Sequence, residues 1–205
     1  MGPDFDSSSH GIRSKPYALY QMFHRSFPPS CMKLLLLALL LVCFSPKSGA
    51  ATPNIILFVT DDQSPIAGCY GHTDIKTPHL DSLAAEGTRF THAFATTASC
   101  SASRSVILSG LHNHRNGQYG HTHAFHKFAS FPAVAAVSLP LQMKQAGYRT
   151  AQIGKYHVAP VSVFEFEKRL AGNARNARSM AESCRDLFQE NSDQPFFLYF
   201  CTSDP

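Results

Sequence analysis

Pro53-Asn54-Ile55-Ile56-Leu57-Phe58-Val59-Thr60, closed by Asp61-Asp62, is the stretch that decides how this chain folds. Its apolar residues are consecutive and several are β-branched, so both faces of the extended chain need cover. A run of that kind suits a central strand of a parallel sheet with helices packed on either side. The two carboxylates at its end then lie where open α/β sheets gather their ligands, outside the carboxyl ends of the strands.

The rest of the chain reads outward from that strand. Thr77-Pro78 predicts a helix with Thr77 as N-cap and Pro78 at the first helical position, running through Leu80, Leu83 and Ala84 to a stop at Gly87. Thr88–Ala95 reads as a strand leading into a loop with Cys100, and Ser103–Ser109 as the following helix. Ser138–Ala146 predicts a helix ending at Gly147, and Tyr148–Gly154 the next strand. Asn173–Glu190 reads as one long helix with Arg175, Arg178 and Arg185 on its wetter side, and Pro195–Cys201 as a last buried strand. Strands alternating with helices imply an α/β fold, a mainly parallel sheet flanked by helices. Asp61-Asp62, the Cys100 loop, Lys155 to His157 and Asp204 all follow strands, which predicts their convergence on one edge of the sheet.

Upstream, the pattern changes. Lys33 precedes an apolar block, Leu34 to Phe44, and then Ser45-Pro46-Lys47 and the small residues Ser48-Gly49-Ala50-Ala51. This is a signal peptide over 32–50, cut after Ala50, and it implies export to a periplasmic, secreted or lysosome-like compartment. The block is too short for a stable membrane span. Residues 1–31 are rich in Ser, Pro and His without periodicity, as expected of a disordered segment or a mis-assigned start. The domain is thus expected within 51–205.

At 205 residues, 44% hydrophobic and 16% charged, the composition is that of one globular domain. The net charge of +4 permits an anionic ligand, and no Lys/Arg run marks a nucleic-acid stripe. Of six Cys, Cys69, Cys100, Cys184 and Cys201 follow the signal peptide. Setting Cys100 aside for chemistry leaves three, enough for one disulfide and a spare thiol, and no disulfide scaffold.

Three motifs carry chemistry. Cys100-Ser101-Ala102-Ser103-Arg104 places Cys100 and Arg104 four residues apart, on one side of a helix turn, with a fixed cation beside the thiol. Asp61 and Asp62, hard oxygen ligands at the end of a buried strand, suit Ca²⁺ or Mg²⁺. Gly154-Lys155-Tyr156-His157 offers a cation for anionic oxygens and a group able to handle a proton. His121, His123 and His126 form a loop cluster that reads as a substrate-facing loop, with His126 the candidate contact, or alternatively as a zinc site.

In combination these motifs, with Thr77-Pro78-His79-Leu80-Asp81, Ser109-Gly110-Leu111 and Gly147-Tyr148-Arg149-Thr150, resemble those of the sulfatase family over about Asn54 to Pro205. Asn116 to Gly120, His126 to Phe131 and Lys155 to Pro160 resemble in particular the N-sulfoglucosamine sulfohydrolases of that family. The resemblance implies an alkaline phosphatase-like fold and a sulfated glycan substrate. It also implies that a formylglycine-generating enzyme oxidises Cys100 to formylglycine. The hydrated aldehyde would attack sulfur, and its second hydroxyl would then expel sulfate, an escape that a serine sulfate ester lacks. Cys100, Arg104, Lys155 and His157 would be catalytic, Lys155 and His126 would meet substrate, and Asp61, Asp62 and residue 100 would hold the metal. A histidine beyond residue 205 would protonate the departing amine. Where such relatives have a His-Asp-Pro-His-like segment this chain has Ser203-Asp204-Pro205, and their later Asp-Asn metal pair has no counterpart. The resemblance therefore implies an incomplete N-terminal catalytic domain. An O-sulfate hydrolase and an inactive sulfate-binding protein remain alternatives. A phosphoryl-transfer relative would normally carry Ser or Thr at the nucleophile position.

Overall fold

The computed structural model describes Lys33 and residues 52–123, 125–190 and 193–205. The readings made for residues 1–50 fall, Lys33 apart, outside the described residues. Among the described residues no helix is long and apolar enough to cross a membrane.

Among the described residues four parallel strands form one sheet in the order β1-β4-β2-β3, with β1 Ile55–Val59, β2 Arg149–Gly154, β3 Lys168–Leu170 and β4 Phe196–Cys201. Every residue of β4 is buried. Its Leu198 and Phe200 pack with Ile153, Met180 and Leu187 on one face. Phe197 and Tyr199 pack with Leu108, Tyr156 and Phe166 on the other. Two-sided burial is what a continuous apolar strand demands.

That demand places β4, and not β1, at the centre. The Pro53–Thr60 run was expected to be central, yet it pairs only with β4 among the described strands and leaves Ile56 51% and Phe58 54% exposed. Phe58 is covered on one side by stacking on Phe200, with ring centroids 4.9 Å apart.

Six α-helices are described from residue 52 onward: α1 Pro78–Glu86, α2 Cys100–Ser109, α3 Asn113–Asn116, α4 Leu139–Gln145, α5 Ala177–Ser183 and α6 Arg185–Gln189. α1 starts at Pro78 and ends before Gly87, as expected. Thr77, however, does not cap it: its hydroxyl donates to Asp81 Oδ1 (2.9 Å) and accepts from the Gly68 N–H (2.9 Å). The expected strand at Thr88–Ala95 is irregular, with Phe90 and Phe94 69% and 90% exposed, because no neighbouring strand among the described residues takes up its backbone groups. α2 starts three residues earlier than expected and so includes Cys100. The expected helix over Asn173–Glu190 is two short helices separated at Cys184, and Arg175 lies before them. The four cysteines after residue 51 are free thiols.

In a parallel sheet the strands end together. Val59 pairs with Cys201, and Cys201 with Gly154. The Thr202 N–H donates to the Val59 carbonyl (3.1 Å) and the Lys155 N–H to the Cys201 carbonyl (2.9 Å), tying the three carboxyl ends together. The residues just past each of these strands are thereby gathered at one edge.

Candidate functional site

α2 delivers two reactive side chains by simple helical spacing. Cys100, Arg104 and Leu108 lie four residues apart and share one face. Leu108 is fully buried in the core, which fixes the rotation of the helix. One turn back, Arg104 is 2% exposed, and two turns back Cys100 sits half-buried at the first helical position.

Arg104 is held by three strand ends. Its Nη2 donates to Asp61 Oδ1 (3.1 Å) after β1, and its Nη1 donates to the Lys155 carbonyl (3.1 Å) after β2 and to the Tyr199 hydroxyl (3.4 Å) in β4. Lys155 Nζ pairs with the other Asp61 oxygen and lies 3.7 Å from Cys100 Sγ. A cleft of about 340 Å³ opens on this group, lined among others by Asp61, Asp62, Ala98, Cys100, Ser103 and Arg104. Asp62 is exposed and its backbone is left-handed, at φ 51°.

Burial would raise the Asp61 carboxyl, but hydrogen bonds from Lys155 and Arg104, and their charges, outweigh it and hold the group below its ordinary value. His157 is also in the left-handed region, at φ 50°. Burial first, then the charge of Lys155 and the neighbouring His123, His121 and Arg104, push its imidazole down to about 4. Both shifts make the folded state release protons more readily than the unfolded chain. Stability is therefore expected to be full above pH 6.5 and to fall towards pH 4 as the unfolded state alone protonates His157. It falls again as pH drops through the depressed value of Asp61. Urea midpoints measured against pH check this. His157→Asn should remove the upper arm and leave the lower.

The loop after α3 lies over the start of α2. Ser99 Oγ meets His121 Nε2 (3.3 Å), and the Thr122 N–H donates to Ser101 Oγ (3.1 Å). The His121 ring is 4.7 Å from that of His123 and 5.7 Å from that of His157, and His123 is 4.9 Å from His157. The sequence grouped His121 and His123 with His126. The structure groups them with His157 instead, while His126 is exposed and its carbonyl accepts from the His123 N–H. Asp204, also expected at this edge, pairs with Arg175.

Sequence reasoning missed the frame that positions these groups. Gln118 is fully buried; its Oε1 accepts from the Ala159 N–H (3.3 Å) and from Ser130 Oγ (3.5 Å), joining the histidine loop to the segment after Lys155. Asn116, equally buried, donates to Ser105 Oγ (3.0 Å) in α2 and accepts from the Gln118 N–H (2.8 Å). Polar residues beside two glycines in a loop carry no burial signal of their own. Tyr199 was read only as apolar filling of a strand.

The donor set fits a hard divalent cation in part. Asp61, Asp62 and Cys100 offer ligand atoms within 4.8 Å of one another. The two carboxylates are the oxygen ligands that Ca²⁺ or Mg²⁺ prefers, whereas a sulfur is not, until oxidation replaces it by oxygen. A cation here would compete with the Lys155 ammonium for Asp61.

Comparison with known proteins agrees with this geometry. The family model described as Sulfatase matches residues 53–205. N-sulphoglucosamine sulphohydrolase of Homo sapiens is 39% identical over 184 residues, covering 86% of this chain and 35% of its own length. N-acetylglucosamine-6-O-sulfatase of Bacteroides thetaiotaomicron is 39% identical over 133 residues, 63% of this chain and 23% of its own. The chain thus spans about a third or less of these curated relatives. A solved structure from glycosaminoglycan metabolism of Bacteroides thetaiotaomicron superposes with a TM-score of 0.63 at 18% identity, over 75% of this chain and 51% of that one, and shares the fold. Sulfatases generally use a formylglycine and a divalent metal, and the motif cysteine, the strand-end carboxylates and the matched model coincide here: this chain belongs to the sulfatase family.

Proposed function

We propose that the chain serves a sulfatase that removes N-linked sulfate from glucosamine residues of heparan-type glycans. Cys100 would be converted to formylglycine, and Asp61 and Asp62 would hold Ca²⁺ or Mg²⁺. One observation carries the reading: Cys100, Asp61 and Arg104 line one cleft on the carboxyl edge of the sheet, and the Lys155 ammonium touches both Cys100 Sγ and Asp61. When formed, the formylglycine hydrate supplies an oxygen nucleophile for sulfur and a second hydroxyl through which sulfate is released. A metal held by Asp61 and Asp62 would supply further positive charge for a bound sulfate.

The chain's own residues prepare that chemistry. The Lys155 ammonium is placed to neutralise a sulfate oxygen next to position 100, and the start of α2 points its free N–H groups the same way. Arg104, too deeply buried to meet substrate freely, keeps Asp61 ionised and oriented. His157, neutral at physiological pH, is able to accept a proton from a hydroxyl at position 100. His126, exposed on the neighbouring loop, is the proposed outer contact for the sugar. The apolar block upstream supports export.

The human relative, 39% identical over most of this chain, supports N-sulfated glucosamine as substrate. The Bacteroides 6-O-sulfatase, equally identical over a shorter stretch, supports the rival O-sulfate ester. Peptide mass spectrometry of the protein from its native host should show the Cys100 peptide lighter by roughly 18 Da, the exchange of thiol for aldehyde. The same preparation should release sulfate from N-sulfoglucosamine ahead of 6-O-sulfated glucosamine. The reverse preference would establish the ester hydrolase. An unmodified thiol in a host that holds the modifying enzyme would leave a sulfate-binding protein.

A further inference from the structure

The cysteine of the motif belongs to two overlapping sets of donors. One is the hard set with Asp61 and Asp62. The other is Cys100, His121 and His157, whose ligand atoms also lie within 4.8 Å of one another. We propose that Cys100 in its thiol form, together with His121 and His157, binds a soft divalent metal of the zinc type.

Three observations support this. The first is composition: one sulfur and two imidazoles are ligands for zinc or copper and poor ones for Ca²⁺. The second is that the Nδ1 atoms of both His121 and His157 are buried without a hydrogen-bond partner among the described residues. A buried polar atom left unpaired is costly, and a coordinate bond would answer that cost. The third is anchoring. The histidine loop is tied to the start of α2 through Ser99 and Ser101, so His121 and Cys100 move together. His157 is held from the other side by a left-handed backbone, a conformation that costs energy and is characteristic of functional positions.

The distances are attainable. Ligand atoms around a tetrahedral zinc lie roughly 3.3–3.8 Å apart, so the set must close by about an ångström, within reach of side-chain rotation. Three protein ligands leave a fourth position open. His123, whose ring lies 4.7 and 4.9 Å from the other two imidazoles, stands next to it. As the sulfur–metal bond forms, the thiol proton passes to solvent, and no electron is transferred. The site exists only while residue 100 carries sulfur; conversion to formylglycine removes one ligand and leaves the oxygen set. The proposal therefore stands or falls separately from the sulfatase reading.

The test uses the full chain produced without the modifying enzyme. Titration with Co²⁺ should give a sulfur-to-cobalt charge-transfer band that saturates at one equivalent. Zinc should displace the cobalt and excess Ca²⁺ should not. The band should vanish in Cys100→Ser, and affinity should fall at least tenfold in His121→Ala and by clearly less in Asp62→Asn. No band with folded protein, a band that survives Cys100→Ser, or one lost with Asp62→Asn would overturn the assignment. The unaltered chain gives a check that needs no variant. Zinc should slow alkylation of Cys100 by iodoacetamide at least tenfold while Cys69 reacts as before, and equal rates at Cys100 would overturn the proposal.

Discussion

Asp61→Asn is expected to destabilise the domain by about 3–5 kcal/mol, the usual cost of removing one partner from a buried ion pair. The side chains of Arg104 and Asp61 are only 3% and 9% exposed. The substitution removes the charge that compensates the Arg104 guanidinium and leaves Lys155 without its carboxylate. Arg104 would keep its bonds to the Lys155 carbonyl and the Tyr199 hydroxyl, but neither carries a formal charge. Urea unfolding followed by circular dichroism reads the loss. Adding Arg104→Met should recover a large part of it, since an apolar side chain of similar length needs no counter-charge. A single variant that loses less than about 1 kcal/mol would show that solvent screens the pair as it does at a surface.

The largest effect on activity is expected at Cys100. Under the proposed function, Cys100→Ser should lower sulfate release by at least about 10⁴-fold, the scale on which removal of a nucleophile acts. The fold should be spared: Cys100 is half-buried and its sulfur touches the Lys155 ammonium at 3.7 Å, so stability should stay within about 0.5 kcal/mol of the parent. Serine can attack sulfur but has no second hydroxyl, so after exposure to substrate the variant should accumulate a peptide sulfated at position 100. Turnover by the serine variant at the parental rate would place the nucleophile elsewhere.

The sequence announced β1 and β4, because Ile55–Val59 and Phe196–Cys201 are apolar throughout, although only β4 is buried on both faces. Both were placed to within a residue or two on that basis, and so was β2, which carries Arg149, Thr150 and Gln152, from its place after the helix stop at Gly147. Their order was not legible: nothing in Ile55–Val59 alone says that its outer flank lacks a partner among the described strands. β3 is three residues long, two of them Lys168 and Arg169, and it offers neither length nor alternation. The break at Cys184 escaped notice because neither Gly nor Pro marks it. In the site, Asp61 and Lys155 were readable from residue type and position after a strand, and Cys100 and Arg104 from their four-residue spacing. The pairing of His121 and His123 with His157 was not. It depends on Gln118 and Asn116 pulling two loops together, and a buried amide looks in sequence like an exposed one.

Gly154 completes the picture from the side of tolerance to change. Its φ is 82°, and a Cβ placed there would come within 2.0 Å of the Cys201 carbonyl oxygen, the acceptor for the Lys155 N–H. In a saturation library scored for soluble protein, with no substrate present, position 154 should stay nearly empty of other residues while position 155 accepts Arg and neutral residues and excludes acidic ones, which would face the buried Asp61 carboxylate. Gly-Lys-x-His thus joins a letter required by chain geometry to two that the proposed function assigns to reaction chemistry. A variant that fails at the first letter says nothing about sulfate.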